Sequence, residues 1–252
     1  MHTKEEYIGV FDSGVGGISV LRELVKQMPG EKFLYFGDSA NAPYGKRTTA
    51  QVRQLTMDAA AMLMQRGIKA LVVACNTATA AAITDLRQAY PDTIIIGIEP
   101  ALKPAADRFP NGNIGVMATP VTLREEKFHL QLERFSGARV HLIPVPELVE
   151  LVEAGHTDDE SVENLLRPVL LPYAGKLDAV VLGCTHFPFA AKVIGKLLGE
   201  KTAILDGGEG TARETHRRLQ EAGLLEEGEG CVQMENSSGS PEKIALSMAL
   251  LG

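Results

Sequence analysis

Val72-Val73-Ala74-Cys75-Asn76-Thr77 and Val180-Val181-Leu182-Gly183-Cys184-Thr185 are two versions of one phrase: an apolar run, a cysteine, and then residues suited to opening a helix. The cysteines stand 109 residues apart, at positions 75 and 184. Two other matches keep nearly that spacing. Thr93-Ile94-Ile95-Ile96 returns as Thr202-Ala203-Ile204-Leu205, also 109 residues on. Ile8-Gly9-Val10 before Phe11-Asp12-Ser13 returns as Ile114-Gly115-Val116 before Met117-Ala118-Thr119, 106 residues on. One Val-Val match would be chance, but three in order at near-constant spacing predict two similar halves.

Working outward, short runs rich in Val and Ile at residues 7–11, 33–36, 70–74, 93–98, 114–117, 139–143, 179–182 and 203–205 read as strands. Stretches between them, such as residues 48–66 and 161–171, carry helical spacing. Alternation of helices with nearly continuous apolar strands predicts an α/β fold with mainly parallel sheets covered on both faces. Residues 226–241, acidic and then Ser/Gly-rich, read as a solvated loop carrying one short strand, and Gly207-Gly208-Glu209-Gly210 reads as a turn. Ligands of open parallel sheets sit beyond the carboxyl ends of the strands, where Cys75 and Cys184 both stand. If the halves face each other about a pseudo-twofold axis, the two sulfurs flank one cleft. Two acid/base groups on opposite faces of a small substrate is what a racemase requires.

Composition excludes other classes. At 252 residues, 45% hydrophobic and 23% charged, the chain can bury a sizeable core and is neither disordered, collagenous nor coiled coil. Its net charge of −7, with scattered basic residues, argues against a nucleic-acid partner. Its apolar runs are too short to cross a membrane, and polar residues 1–7 do not read as a secretory signal. Three cysteines without a CxxC pair make neither a disulfide framework nor a zinc site, and point to a reducing cytoplasm.

Cys75 at a helix start is expected to have a lowered pKa, because the dipole and free N–H groups favour thiolate. Asn76 and Thr77 can cap that helix and offer donors to a carboxylate. His186, two residues past Cys184, can share a proton with the thiol. Asp12-Ser13-Gly14-Val15-Gly16-Gly17 allows a tight turn and close backbone approach, but lacks the spacing of a phosphate loop. Asp12 there suits an acid/base helper or an ammonium contact. The turn-rich loop 37–45 and the hydroxyls of Thr119 and Thr122 lie at the same sheet edges. Glu153 reads on its own as a solvated helix charge, and Cys231, outside the repeat, as an incidental thiol.

Four motifs now stand in order: FDSGVGG at 11–17, GDSANAPYG at 37–45, ACNTATA at 74–80 and GCTHFP at 183–188. Together they resemble the glutamate racemases of the cofactor-independent aspartate/glutamate racemase superfamily. The resemblance implies two α/β domains with the active site between them, and a last segment returning to the first. The boundaries expected are 1–98 plus 208–252 for the first domain and 99–207 for the second. It implies Cys75 and Cys184 as acid/bases, Asp12 as helper near Cys75, and Glu153 and His186 near Cys184. Substrate contacts implied are Asp12, Ser13, Tyr44, Gly45, Asn76, Thr77, Thr185 and His186, with Thr119 and Thr122 alongside. Glu153 rests on its VEAG context and its distance from Cys184. The substrate implied is glutamate, racemised for peptidoglycan synthesis without metal or other cofactor. Monomer and homodimer both stay open. The longer N-terminal arm of nucleotide-precursor-activated members has no counterpart before Phe11, which speaks against such activation.

Three rival readings stand beside this one. Aspartate could be the substrate; Cys75 could be a thioester-forming nucleophile, which leaves Cys184 without a purpose; or the cleft could bind an amino acid without turning it over.

Overall fold

The computed structural model describes residues 7–252 apart from 125, 135 and 136, and the side chains of all of these but 126, 127 and 131. The polar opening segment, residues 1–6, lies outside the described residues. The strands are β1 (Tyr7–Asp12), β2 (Lys32–Gly37), β3 (Ala70–Val73), β4 (Ile94–Gly97), β5 (Asn113–Ala118), β6 (Arg139–Pro144), β7 (Ala179–Leu182), β8 (Ala203–Asp206) and β9 (Cys231–Asn236). They form two sheets, ordered β4-β3-β1-β2-β9 and β6-β5-β7-β8. Every pairing is parallel.

Read from the other edge, the second sheet is β8-β7-β5-β6, the same order as β4-β3-β1-β2. The register repeats too. Ile8 lies opposite Phe33 and Ala70, and its counterpart Ile114 opposite Val140 and Ala179. Ala70 pairs Ile94 and Ala179 pairs Ala203, each partner 109 residues on. The spacing seen in the sequence is therefore the spacing of equivalent strand positions, and among the described strands only β9 has no counterpart.

Burial follows strand position. All residues of β3 and β7 are buried, and all but the first of β1 and β5, because helices cover both faces of the central strands. The edge strands β6, β8 and β9 are mixed. The helices Thr49–Gln65 and Glu160–Leu170 match the sequence expectation to within about a residue at each end. The first opens on a capping box between Thr48 and Gln51, the second on Asp159, whose carboxylate accepts from Ser161 and Val162.

The chain passes from the first sheet to the second after β4 and returns after β8. The return corrects one expectation. Gly207-Gly208-Glu209-Gly210 is not merely a turn: Gly207 is the N-cap of the helix Gly208–Glu221, whose Ala212 and Leu219 pack in the first-half core. The last helix, Pro241–Leu251, bridges the halves, with Leu246 against the second core and Leu251 against the first.

A buried ion cluster ties the returning segment down. Lys69 Nζ lies 2.7 Å from Glu31 Oε2 and 3.3 Å from Glu226 Oε1, and the Lys69 and Glu31 side chains are 6% and 1% exposed. Lys69 also donates to the Leu224 carbonyl, and the Glu226 N–H to Glu31 Oε1. Removing one partner of such a pair strands a buried charge. Lys69→Met should therefore lose about 3–5 kcal/mol in urea unfolding. Arg66→Met, which breaks the half-exposed pair with Glu235, should lose less than about 1 kcal/mol. Equal losses would show that the buried cluster does not anchor the segment.

Candidate active site

The carboxyl ends of β1, β3, β5 and β7 converge on one cavity. Ser13, Tyr44, Gly45, Cys75, Asn76 and Thr77 line it from the first half, and Thr119, Cys184, Thr185 and His186 from the second. Both thiols, one from each sheet, thus face the same space. Pro43 of the 37–45 loop also lines it, as do Lys46, Pro146 and Val149, which sequence reasoning missed because they carry no distinctive pattern. A larger groove of about 1020 Å³ lies beside the two chain crossings, where Glu99, Pro100 and Gly207 are found, but it holds neither thiol.

The two cysteines have different neighbours. Cys75 is itself the N-cap of the helix Asn76–Ala89, its sulfur accepting from the Ala78 N–H at 3.4 Å. Asn76 and Thr77, expected as caps, instead sit in the first turn and face the cavity. The Cys75 thiol donates to Ser13 Oγ at 3.5 Å. The expected lowering of its pKa is not what this setting produces. Burial, and then the Asp12 charge, push the thiol up to about 12, outweighing the helix-end donor. Cys184 has an imidazole instead, with His186 Nδ1 3.7 Å from its sulfur. No α-helix starts directly after Cys184; a short 3₁₀ turn, Phe187–Ala190, leaves the histidine beside the thiol.

Behind this lining lies a layer of charge. Glu153, at the end of the helix Glu147–Glu153, accepts from His186 Nε2 at 2.8 Å, the Val15 N–H at 2.7 Å and Lys243 Nζ at 2.6 Å. Burial alone would raise this carboxyl, but the hydrogen bond and charge of His186, with Lys243 and Val15, hold it down to about 2. Burial acts on His186 to lower its pKa, yet its hydrogen bonds to Cys184 and Glu153 and their charges hold it well above the usual histidine range. The His186 ring therefore stands between carboxylate and thiol, in hydrogen-bonding reach of both.

The glycines of FDSGVGG are explained by this approach of the halves. A Cβ on Gly14 would sit 1.9 Å from Glu153 Oε1, and one on Gly16 2.4 Å from His186 Nδ1. The close approach foreseen for the loop is to side chains of the opposite half. Asp12, fully buried, does not line the cavity and does not cap the next helix. It accepts from the Gly14 N–H at 2.9 Å and from Thr185 Oγ1 at 3.0 Å, and burial raises its pKa despite the nearby His186. Thr122 also lies one layer back, bonded to Thr119 Oγ1 at 3.1 Å, which in turn meets Thr77 Oγ1 at 3.1 Å across the seam. Asp38 orders the 37–45 loop by accepting from Tyr44 Oη at 2.7 Å. Cys231 is exposed and remote from the cavity, as its place outside the repeat implied. Sequence reasoning missed Lys243, an ordinary lysine early in a helix, and Tyr35, whose hydroxyl donates to the Gly14 carbonyl at 2.6 Å.

Comparison with known proteins places these features in a family. The sequence matches the Asp/Glu/hydantoin racemase family over residues 8–215. It is 49% identical to the glutamate racemase of Clostridium kluyveri over 255 aligned residues, covering 100% of this chain and 99% of that one. The fold superposes on the glutamate racemase of Thermus thermophilus in complex with beta-chloro-D-alanine with a TM-score of 0.81 at 39% identity, covering 96% of this chain and 92% of that one. The Escherichia coli glutamate racemase, in complex with L-glutamate and the activator UDP-MurNAc-Ala, gives a TM-score of 0.86 at 31% identity, over 98% and 95% of the two chains.

The Glu153 environment has a measurable consequence for stability. A carboxyl held at about 2 in the fold and near 4.5 when unfolded stabilises the protein above pH 4.5 and loses that contribution as pH falls toward 2. In urea unfolding over acidic pH, Glu153→Gln should weaken the wild-type decline in this window. Identical slopes would mean that Glu153 is not held ionised by these donors.

Proposed function

The chain belongs to the Asp/Glu/hydantoin racemase family, and we propose that this amino-acid racemase interconverts L- and D-glutamate with two thiols. One observation carries the reading: Cys75 and Cys184, from equivalent positions of the two sheets, line a single cavity furnished with donors. The substrate is inferred from the relatives, and the family resemblance of the motifs implies that D-glutamate made here serves peptidoglycan synthesis. We assign the first domain to residues 1–98 plus 208–252 and the second to 99–207, which the sheet membership of the described strands supports. Thiols that must stay reduced suit the cytoplasm, and no described helix is long and apolar enough to cross a membrane.

The cavity measures about 20 Å³, room for about one water. Glutamate needs far more, so the lining must move to admit it. Once bound, its carboxylate takes hydrogen bonds from Ser13, Asn76, Thr77 or Thr185, which the chain supplies without a cofactor. The α-proton is weakly acidic, and these fixed donors stabilise the charge that develops as the C–H bond breaks. One sulfur, as thiolate, takes that proton while the electron pair stays on Cα. The other, as thiol, gives its proton to the opposite face, and the stereocentre is inverted.

The two thiols are ready for different tasks. Cys75, pushed up to about 12, carries its proton at neutral pH and suits the donor role. Cys184 has the His186 ring 3.7 Å from its sulfur, a neighbour with which it can exchange a proton. Turnover in the other direction exchanges the roles. A thioester mechanism at Cys75 would leave the second, equivalently placed thiol without work.

Circular dichroism of L-glutamate should decay without ammonia release, and L-aspartate should decay far more slowly. Equal or faster loss with aspartate would reassign the substrate. Cys75→Ala and Cys184→Ala should each lower the rate at least about hundredfold, while Cys231→Ala leaves it unchanged; full activity in either of the first two sinks the mechanism. In heavy water at low conversion, the product enantiomer should carry deuterium at Cα while the remaining substrate stays protiated. Unlabelled product would mean that one residue makes both transfers.

A further inference from the structure

Lys243 lies in the first turn of the last helix, Pro241–Leu251, on the opposite side of Glu153 from the cavity lining. Its backbone is fixed at both ends of that turn: its N–H donates to Ser240 Oγ, the helix cap, and its carbonyl accepts from Ser247 Oγ. The ammonium makes two bonds to one residue, 2.6 Å to Glu153 Oε2 and 2.7 Å to the Glu153 carbonyl. That carbonyl is among the last of the helix Glu147–Glu153, which leaves it without an intrahelical donor. Lys243 thus stabilises the helix end as a cation where the helix dipole is negative. The same ammonium holds the side chain that projects from that end.

The oxygens of Glu153 divide their partners. Oε1 serves His186 and the Val15 N–H, and Oε2 serves Lys243. Among the described residues, no other hydrogen bond reaches Oε2. A carboxylate held at one oxygen only can turn about its last torsion, and the imidazole it positions turns with it. Cys75 has no such support, since its partners are Ser13 and a backbone N–H.

We propose that Lys243 is a positioning residue for the Cys184 half of the reaction, fixing Glu153 so that Glu153 fixes the His186 ring against the thiol. The chain Lys243–Glu153–His186–Cys184 starts on the last helix and crosses the seam once to reach the second thiol. Lys243 does not line the cavity and touches no reacting atom. The other charged group near these residues is Asp12, whose carboxyl feels both His186 and Glu153. This inference rests on the racemase reading for its kinetic arm alone.

The test uses the full-length protein with Lys243→Met and Lys243→Arg. In Lys243→Met, kcat for glutamate racemisation should fall tenfold to hundredfold, on the order seen when an outer partner of a reacting group is lost, with KM changed less than about twofold. The two enantiomers are equal in free energy, so kcat/KM must fall equally in both directions. Lys243→Arg, which keeps the cation, should recover most of the rate. Independently of turnover, iodoacetamide alkylation followed peptide by peptide should slow at Cys184 in Lys243→Met, stay unchanged at Cys75, and return to normal in Lys243→Arg. Unchanged Cys184 alkylation overturns the inference, and so does a matched change at both thiols, which would mark a general loosening of the fold. A wild-type protein that does not racemise glutamate would refute the glutamate reading, while the alkylation comparison still decides the role of Lys243.

Discussion

A carboxylate buried at the seam between two sheets is costly unless donors surround it, and Glu153 meets that condition with groups from both halves. The Val15 N–H and Lys243 belong to first-half elements, and His186 to the second. The glycines at 14 and 16 are there to let the loop come this close. Much of the site depends on the satisfaction of this one group. The loop after β1 is drawn to the second half, bringing Ser13 to Cys75, and the imidazole is set against Cys184.

The scaffold is duplicated, yet the chemistry built on it is not symmetric. Strand order and register repeat, and the two cysteines end equivalent strands. The backbone just past each cysteine differs. After Cys75 a long helix begins, and its sulfur takes the capping position in a fully buried setting beside Asp12. After Cys184 a tight 3₁₀ turn keeps His186 at hand. One thiol therefore sits buried near a carboxylate and the other beside an imidazole.

Closure links these parts. The cavity between the thiols is water-sized, and contacts across the seam, Thr77 with Thr119, Ser19 with the Thr185 carbonyl, and Glu153 with its first-half donors, tie the halves together around it. Excluding water strengthens every electrostatic interaction inside.

The strands and the repeat were legible in the sequence because their signals are local: apolar runs of strand length, and a phrase repeated at equivalent strand positions. The cysteines were legible for the same reason, being the residues that come directly after those runs. Glu153 and Lys243 carry no such signal. Each is a charged residue in an ordinary amphipathic helix, and only packing of that helix against the other half removes it from water. The lowered Cys75 pKa expected from a helix start fails for a related reason, since a helix end is a local feature whereas burial and the Asp12 charge belong to the assembled protein. Local patterns suffice to say which segments become strands and where the thiols stand. Tertiary structure alone decided which charges are desolvated and which partners meet across the seam, because those energies depend on distance and burial that no local pattern encodes.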